Sequence, residues 1–183
     1  MLTAKPAETE KELLQILQLQ QQYLAGHNSS EEEKEQGFVT VHHTLQKLKQ
    51  LHALAPSVIV KDKDEVIAYA LVMLNKAGDL IPELFSMFQM LKTLSYRDKL
   101  LSAYSYYVMG QICVDKPYRG QGVFQMLYDK HKKLMQPHYD FVLTEIATRN
   151  TRSIRAHEKV GFELLHRFKD EKEEWDVVIW NWR

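Results

Sequence analysis

Arg119, Gly120, Gln121 and Gly122 stand between an apolar run that ends at Val114 and a helical pattern that opens at Val123 and Phe124. That order suits an anion. The first amides of a helix lack internal partners and sit at the positive end of its dipole, so a strand, a glycine loop and a helix in succession can hold phosphate with main chain alone. Gly120 and Gly122 would let the backbone approach the ligand, and Arg119 could add a charge-assisted bond. The same glycines would also serve a plain strand-to-helix turn. No Lys-Ser/Thr pair follows them, so this is not a P-loop. Gln125 stands where a dinucleotide fingerprint needs its third glycine or alanine. A different phosphate compound is implied.

The elements around the junction follow from periodicity. Leu13, Leu14, Ile16, Leu17, Gln20, Tyr23 and Leu24 predict an amphipathic helix over 8–25, closed by Gly26. A polar stretch from Asn28 to Glu35 reads as a loop or helix start, and Leu45, Leu48, Leu51 and Leu54 predict a second helix that stops before Pro56. No strong strand signal precedes these helices. Ser57 to Val60 and Val66 to Leu74 read as a hairpin whose second strand is apolar enough to be buried on both faces. Gly78 to Leu101 carries Pro82, several aromatics, Met87 and Met90, and reads as one or two short helices forming either a lid or a peripheral layer. Strands are then expected at Tyr104–Val114 and Tyr139–Ile146, helices at Gly122–Gln136 and Thr151–Lys159, and a closing antiparallel pair at Glu163–Phe168 and Trp175–Trp182. The pattern is mixed α/β in one domain, residues 1–183.

A second motif lies about thirty residues beyond the loop: Glu145-Ile146-Ala147-Thr148-Arg149-Asn150, then Arg155-Ala156-His157-Glu158-Lys159-Val160-Gly161-Phe162. Together with Arg119-Gly120-Gln121-Gly122-Val123-Phe124 it resembles the GNAT superfamily of acetyl-CoA-dependent N-acetyltransferases. That family carries Gln/Arg-x-x-Gly-x-Gly/Ala at a strand-to-helix junction and, later, an Asn followed by Tyr-Glu-Lys-x-Gly-Phe. Phe124 replaces the small residue and His157 the tyrosine. The resemblance implies a central, mostly antiparallel mixed sheet, flanked by helices and splayed between its fourth and fifth strands. Acetyl-CoA would be the co-substrate, its pantetheine arm pairing with Ile112, Cys113 and Val114, its diphosphate on Arg119, Gly120, Gln121, Gly122, Val123 and Phe124, and Asn150 opposite.

The implied reaction moves an acetyl group from a thioester to an amine. An alkylamine has a reference pKa near 10.4, so a base must remove a proton first. In family members that acetylate protein N-termini, a Glu precedes the motif Asn by five residues and a Tyr follows it by seven. Glu145 is therefore the expected base, and His157 stands at the place of the acid that protonates the departing thiolate. The alternatives for His157 are a hydrogen-bonded core residue, with Tyr106, Tyr107 or Tyr128 as acid; Glu145 could equally be a surface charge or a capping partner. An amide near Val114 could stabilise charge on the carbonyl oxygen. Cys113 reads as buried packing on an apolar strand, so direct transfer is expected. No histidine spacing suits a metal, and none is expected.

Composition sets the outer limits. The chain has 183 residues, with 24 Lys and Arg balancing 24 Asp and Glu, and one Cys. One domain with a sizeable core is expected, with neither a disulfide scaffold nor a thiolate zinc site. Zero net charge argues against a nucleic-acid binder. Residues 1–40 hold three basic against seven acidic side chains, and residues 116–167 hold ten against five, so a phosphate ligand favours the second segment. No apolar run suits a membrane span or an export signal, which makes a cytoplasmic protein the expectation. The acceptor would be a primary amine of a small molecule or peptide, in a pocket shaped by residues 25–45 and 78–105. A non-catalytic acyl-CoA sensor and an inert interaction scaffold are the competing readings. A closing strand with Trp175, Trp180 and Trp182 would leave an edge for a homodimer.

Overall fold

The computed structural model describes residues 1–24, 38–39, 41–75, 85–171 and 173–183. Seven of its strands share one sheet: β1 (Leu2–Pro6), β2 (Val58–Asp62), β3 (Glu65–Met73), β4 (Tyr106–Val114), β5 (Phe141–Ala147), β6 (Glu163–Lys169) and β7 (Glu174–Asn181). Their order across the sheet is β1-β2-β3-β4-β5-β7-β6, and every neighbouring pair is antiparallel except β4 with β5. Five α-helices are described: α1 (Glu10–Gln22), α2 (Leu45–Leu54), α3 (Phe85–Leu91), α4 (Val123–Met135) and α5 (Thr151–Val160). None is long and apolar enough to cross a membrane.

The apolar run of β3 is buried along its whole length after Glu65, as a strand covered on both faces requires. On one side Leu127 and Tyr128 of α4 pack with Val60, Ala68, Tyr107, Val142 and Val178. On the other, Leu13 and Ile16 of α1 and Leu48 of α2 pack with Ile59 and Tyr69, and Met87, Phe88 and Leu91 of α3 pack with Val108, Leu143 and Ile179.

The expected parting of the fourth and fifth strands is present, and local causes are visible. β4 and β5 pair at Tyr106↔Phe141, Tyr107↔Val142 and Val108↔Leu143 only. The β3–β4 register then jumps from Val72↔Met109 to Leu71↔Gln111, which leaves Gly110 as the extra residue of a bulge. Bulges bend and twist their strand, here turning the second half of β4 away from β5. A Cβ on Gly110 would lie 2.3 Å from Met73 Cε, so glycine permits the close approach. At the fork, Thr144 Oγ1 donates to the Met109 carbonyl at 2.9 Å, a side-chain bond where the ladder stops.

Three differences from the sequence reading stand out. The strand with Trp175 and Trp180 is no edge: β7 pairs with β5 on one side and β6 on the other, and β6 is the outer strand. β1 precedes α1, although no strand was expected before the first helices; its five residues are held by the antiparallel ladder to β2 rather than by a strong pattern of their own. The first helix is also shorter than 8–25. Thr9 and Glu12 form a capping box that starts it at Glu10, and Tyr23 closes it. The polar stretch 28–35, the Gly26 stop and residues 78–84 of the insert lie outside the described residues; the rest of the insert holds α3 and a two-residue hairpin, Ser95–Tyr96 with Lys99–Leu100.

Candidate active site

β4 ends at Val114, and Asp115 caps a single 3-10 turn, Lys116–Tyr118. Gly120 and Gly122 follow with φ of 77° and 78°, the left-handed region that only glycine enters without strain. Gly122 is the N-cap of α4, and no side chain caps that end. The first-turn amides are thus left to an outside acceptor at the positive end of the dipole. A Cβ at either glycine would meet no atom within 4 Å, so the loop borders open space.

That space is a cleft of about 840 Å³. It takes in Ile112, Cys113 and Val114 from β4, then Arg119, Gly120, Gly122, Val123 and Phe124, and finally Asn150. The structure therefore gathers the expected cofactor set in one place, with Gln121 as the exception. Its side-chain amide donates to the Pro117 carbonyl at 2.7 Å on the exposed side of the loop. Asn150 is buried, accepts from Ser153 N at 3.2 Å as the cap of α5, and turns its amide toward the Phe38 carbonyl at 3.5 Å.

Arg152, Arg155 and Lys159 also face the cleft from α5. Burial, then the Arg119 charge, lowers the Arg152 pKa, so an anion near these two cations would be favoured. Sequence reasoning counted these charges without placing them. Their spacing, at i, i+3 and i+7, was the available signal for one helix face. Tyr23, Phe38 and Val39 line the cleft too; the last two fall in the 25–45 segment expected to shape the acceptor pocket, and Tyr23 was read only as a helix position.

Glu145 lies two residues beyond Leu143, the last β5 residue paired with β4, and strand alternation puts both on one face. It does not line the cleft and sits beside the fork on the side of α3. Its Oε1 is buried without a partner, and burial, followed by the charge of Asp170, pushes its pKa up to about 8.

His157 is enclosed. Its ring is 5.0 Å from Phe124, 5.5 Å from Tyr128 and 5.0 Å from Phe162, centroid to centroid. Nδ1 lies 2.8 Å from the Ser153 carbonyl, Nε2 has no partner, and burial pushes the pKa down to about 4. It is neutral at pH 7 and faces no part of the cleft, which is not the state or place of an imidazolium acid. Tyr107 and Tyr128 are fully buried, with phenols raised well above the usual value. Tyr106 is buried and raised to a lesser degree. The Cys113 thiol is likewise buried and pushed up to about 12, far from a nucleophilic thiolate. Among the described residues, no group of three or more His, Cys, Asp or Glu side chains could hold a metal.

A family model described as Acetyltransferase (GNAT) family matches residues 13–162. The search of curated proteins gives no match. Among solved structures, the chain resembles a subunit of the NatC complex bound to Gag peptide and CoA, with 13% identity, TM-score 0.65, and 100% of this chain and 99% of that one covered. It also resembles the ribosomal-protein-S18-alanine N-acetyltransferase from Escherichia coli, with 13% identity, TM-score 0.64, and coverage of 99% and 94%. Arabidopsis thaliana Naa50 in complex with the bisubstrate analogue CoA-Ac-MVNAL matches with 14% identity, TM-score 0.64, and 99% of each chain. At these identities the likeness is one of fold.

Proposed function

The chain belongs to the GNAT acetyltransferase family and is an acyltransferase of that type, and from this premise we propose that it transfers acetyl directly from acetyl-CoA to a primary amine of a small molecule or peptide. The observation that carries the reading is the cleft: an uncapped helix start behind two left-handed glycines, next to the free edge of a parted strand. Residues 1–183 act as one catalytic unit, which is supported by a single sheet drawing strands from both ends of the chain.

The donor set fits coenzyme A. Amides from Gly120 to Phe124 with Arg119 would take the diphosphate, the main chain of Ile112, Cys113 and Val114 the pantetheine arm, and Asn150 the opposite wall. The cations of α5 suit the remaining phosphate charge. Once bound, acetyl-CoA supplies an acetyl group activated as a thioester. Glu145, beside the fork on the side of α3 with an unpartnered buried oxygen, receives the proton of the incoming ammonium. Its raised pKa narrows the gap to an amine near 10.4 and so eases that transfer. A peptide amine is favoured by the relatives, since one carries a peptide with CoA and another a peptide-like bisubstrate analogue.

The enclosure of His157 supports one other reading, an acyl-CoA-binding module without turnover. Calorimetric titration with acetyl-CoA and CoA, followed by thiol release over a panel of amines and N-terminal peptides, tests both. Binding with release is the expected result. Binding with no release from any amine would leave the sensor, and no binding would remove both.

A further inference from the structure

Tyr23 closes α1, and its side chain leaves that helix for the loop after β4, 92 residues further on. The phenolic O–H donates to Asp115 Oδ1 at 2.6 Å, and the same oxygen accepts from Lys116 N at 2.8 Å. Arg119 lies over the ring, its Cζ 4.6 Å from the centroid, while Arg119 Nε donates to the Val114 carbonyl at 2.8 Å. The main-chain carbonyl of Tyr23 accepts from Val39 N at 2.9 Å, next to the Phe38 carbonyl toward which Asn150 turns its amide. One residue thus touches both ends of the cleft's rim.

We propose that Tyr23 is a positioning residue for acetyl-CoA, fixing the loop that carries Gly120 and Gly122 and aiming Arg119 across it. The inference rests on the cofactor reading of the cleft. A residue that served only to pack α1 would need no hydroxyl, yet this one makes three hydrogen bonds, one accepted from the neighbouring Gln22 Nε2 at 3.0 Å and two to the first residues after β4. Burial and Asp115 push the phenol up to about 12, so it remains a donor at any working pH. The loop has no regular structure between the 3-10 turn and α4, and its amides must converge on one ligand. Holding it in advance removes an ordering cost from binding. The aromatic face keeps the Arg119 guanidinium beside the cleft without consuming its hydrogen-bond capacity.

The test is titration of CoA into wild type, Tyr23→Phe and Asp115→Ala, with melting temperatures and steady-state kinetics beside it. Tyr23→Phe keeps ring and helix end, and should raise the CoA dissociation constant and the acetyl-CoA KM roughly tenfold while leaving kcat nearly unchanged. Asp115→Ala, which removes the acceptor, should do the same, and the double variant should be no worse than the more affected single one. Should Tyr23→Phe melt before titration, Asp115→Ala reads the same contact with α1 intact. Wild-type affinity within about twofold in either folded variant would overturn the inference, as would an equal loss in kcat and affinity. Failure of the wild type to bind CoA would instead remove the cofactor reading on which it rests.

Discussion

Phe124 and His157 meet edge to face, ring centroids 5.0 Å apart, and they are the two positions where the chain departs from the motifs of its family. The departures match each other. A large ring enters the first turn of α4, and a ring smaller than tyrosine stands opposite on α5. Tyr128 and Phe162 complete the enclosure, so the imidazole is walled off from the cleft rather than presented to it. Direct transfer as proposed does not require a side-chain acid there, because a thiolate is a weakly basic leaving group that can take its proton from water.

His157→Phe should therefore keep kcat within about threefold of wild type, because an enclosed neutral ring contributes packing and no proton. Removal of a true general acid costs about a hundredfold or more. A loss of that size in His157→Phe, with melting temperature unchanged, would return the acid role to this residue.

As the proposed base, Glu145 should set the pH dependence of the reaction. A base with pKa of about 8 is mostly protonated at pH 7, so kcat/KM should rise with pH and level off above about 8. Glu145→Gln should lower turnover by about a hundredfold, with acetyl-CoA affinity retained, and should erase the rise. A wild-type profile in that variant between pH 6 and 9 would place the base elsewhere.

Gly122→Val places a β-branched residue at φ of 78°, at a cost of about 1–2 kcal/mol to the loop, and sends its side chain into the open cleft. CoA affinity should fall by at least about tenfold, with the sheet intact by circular dichroism. Gly110→Ala should behave oppositely in kind: its Cβ collides with Met73, so the fork itself is strained and stability falls first. Equal CoA affinity in Gly122→Val and wild type would refute the main-chain cradle.

How much of this was legible follows from the range of each signal. The loop, α4 and α5 are local, with glycines, a cap and an apolar stripe in one short window, and their limits were read within a residue or two. β1 was not legible, since five weakly patterned residues become a strand only through β2, more than fifty residues away. Tyr23 was visible as a helix position, and two of its hydroxyl's partners lie 92 and 93 residues on. The fork was expected from the resemblance, but its cause, Gly110 against Met73, is a contact between strands that no single window contains. His157 was assigned by position in a motif, and only packing shows that its ring meets Phe124 edge to face.

Acid should unfold the protein through its buried histidines. His131 and His157 are both fully enclosed, and burial pushes each down to about 4, against the usual 6.5. Between those values the unfolded chain binds protons that the folded chain refuses. The histidines' contribution to stability is thus complete above about pH 6.5 and is lost as pH falls toward 4, about 1.4 kcal/mol per pH unit for each, while Glu145, raised to about 8, acts in the opposite direction above its usual 4.5 and offsets one of them there. His131 stacks on Tyr107 and has an unpartnered Nδ1, so His131→Phe keeps the stack and removes one titrating group. Denaturant melts between pH 5 and 6.5 should show a stability slope lower by about 1.4 kcal/mol per pH unit in that variant than in wild type. An unchanged slope would mean that the His131 ring is not held neutral in the fold.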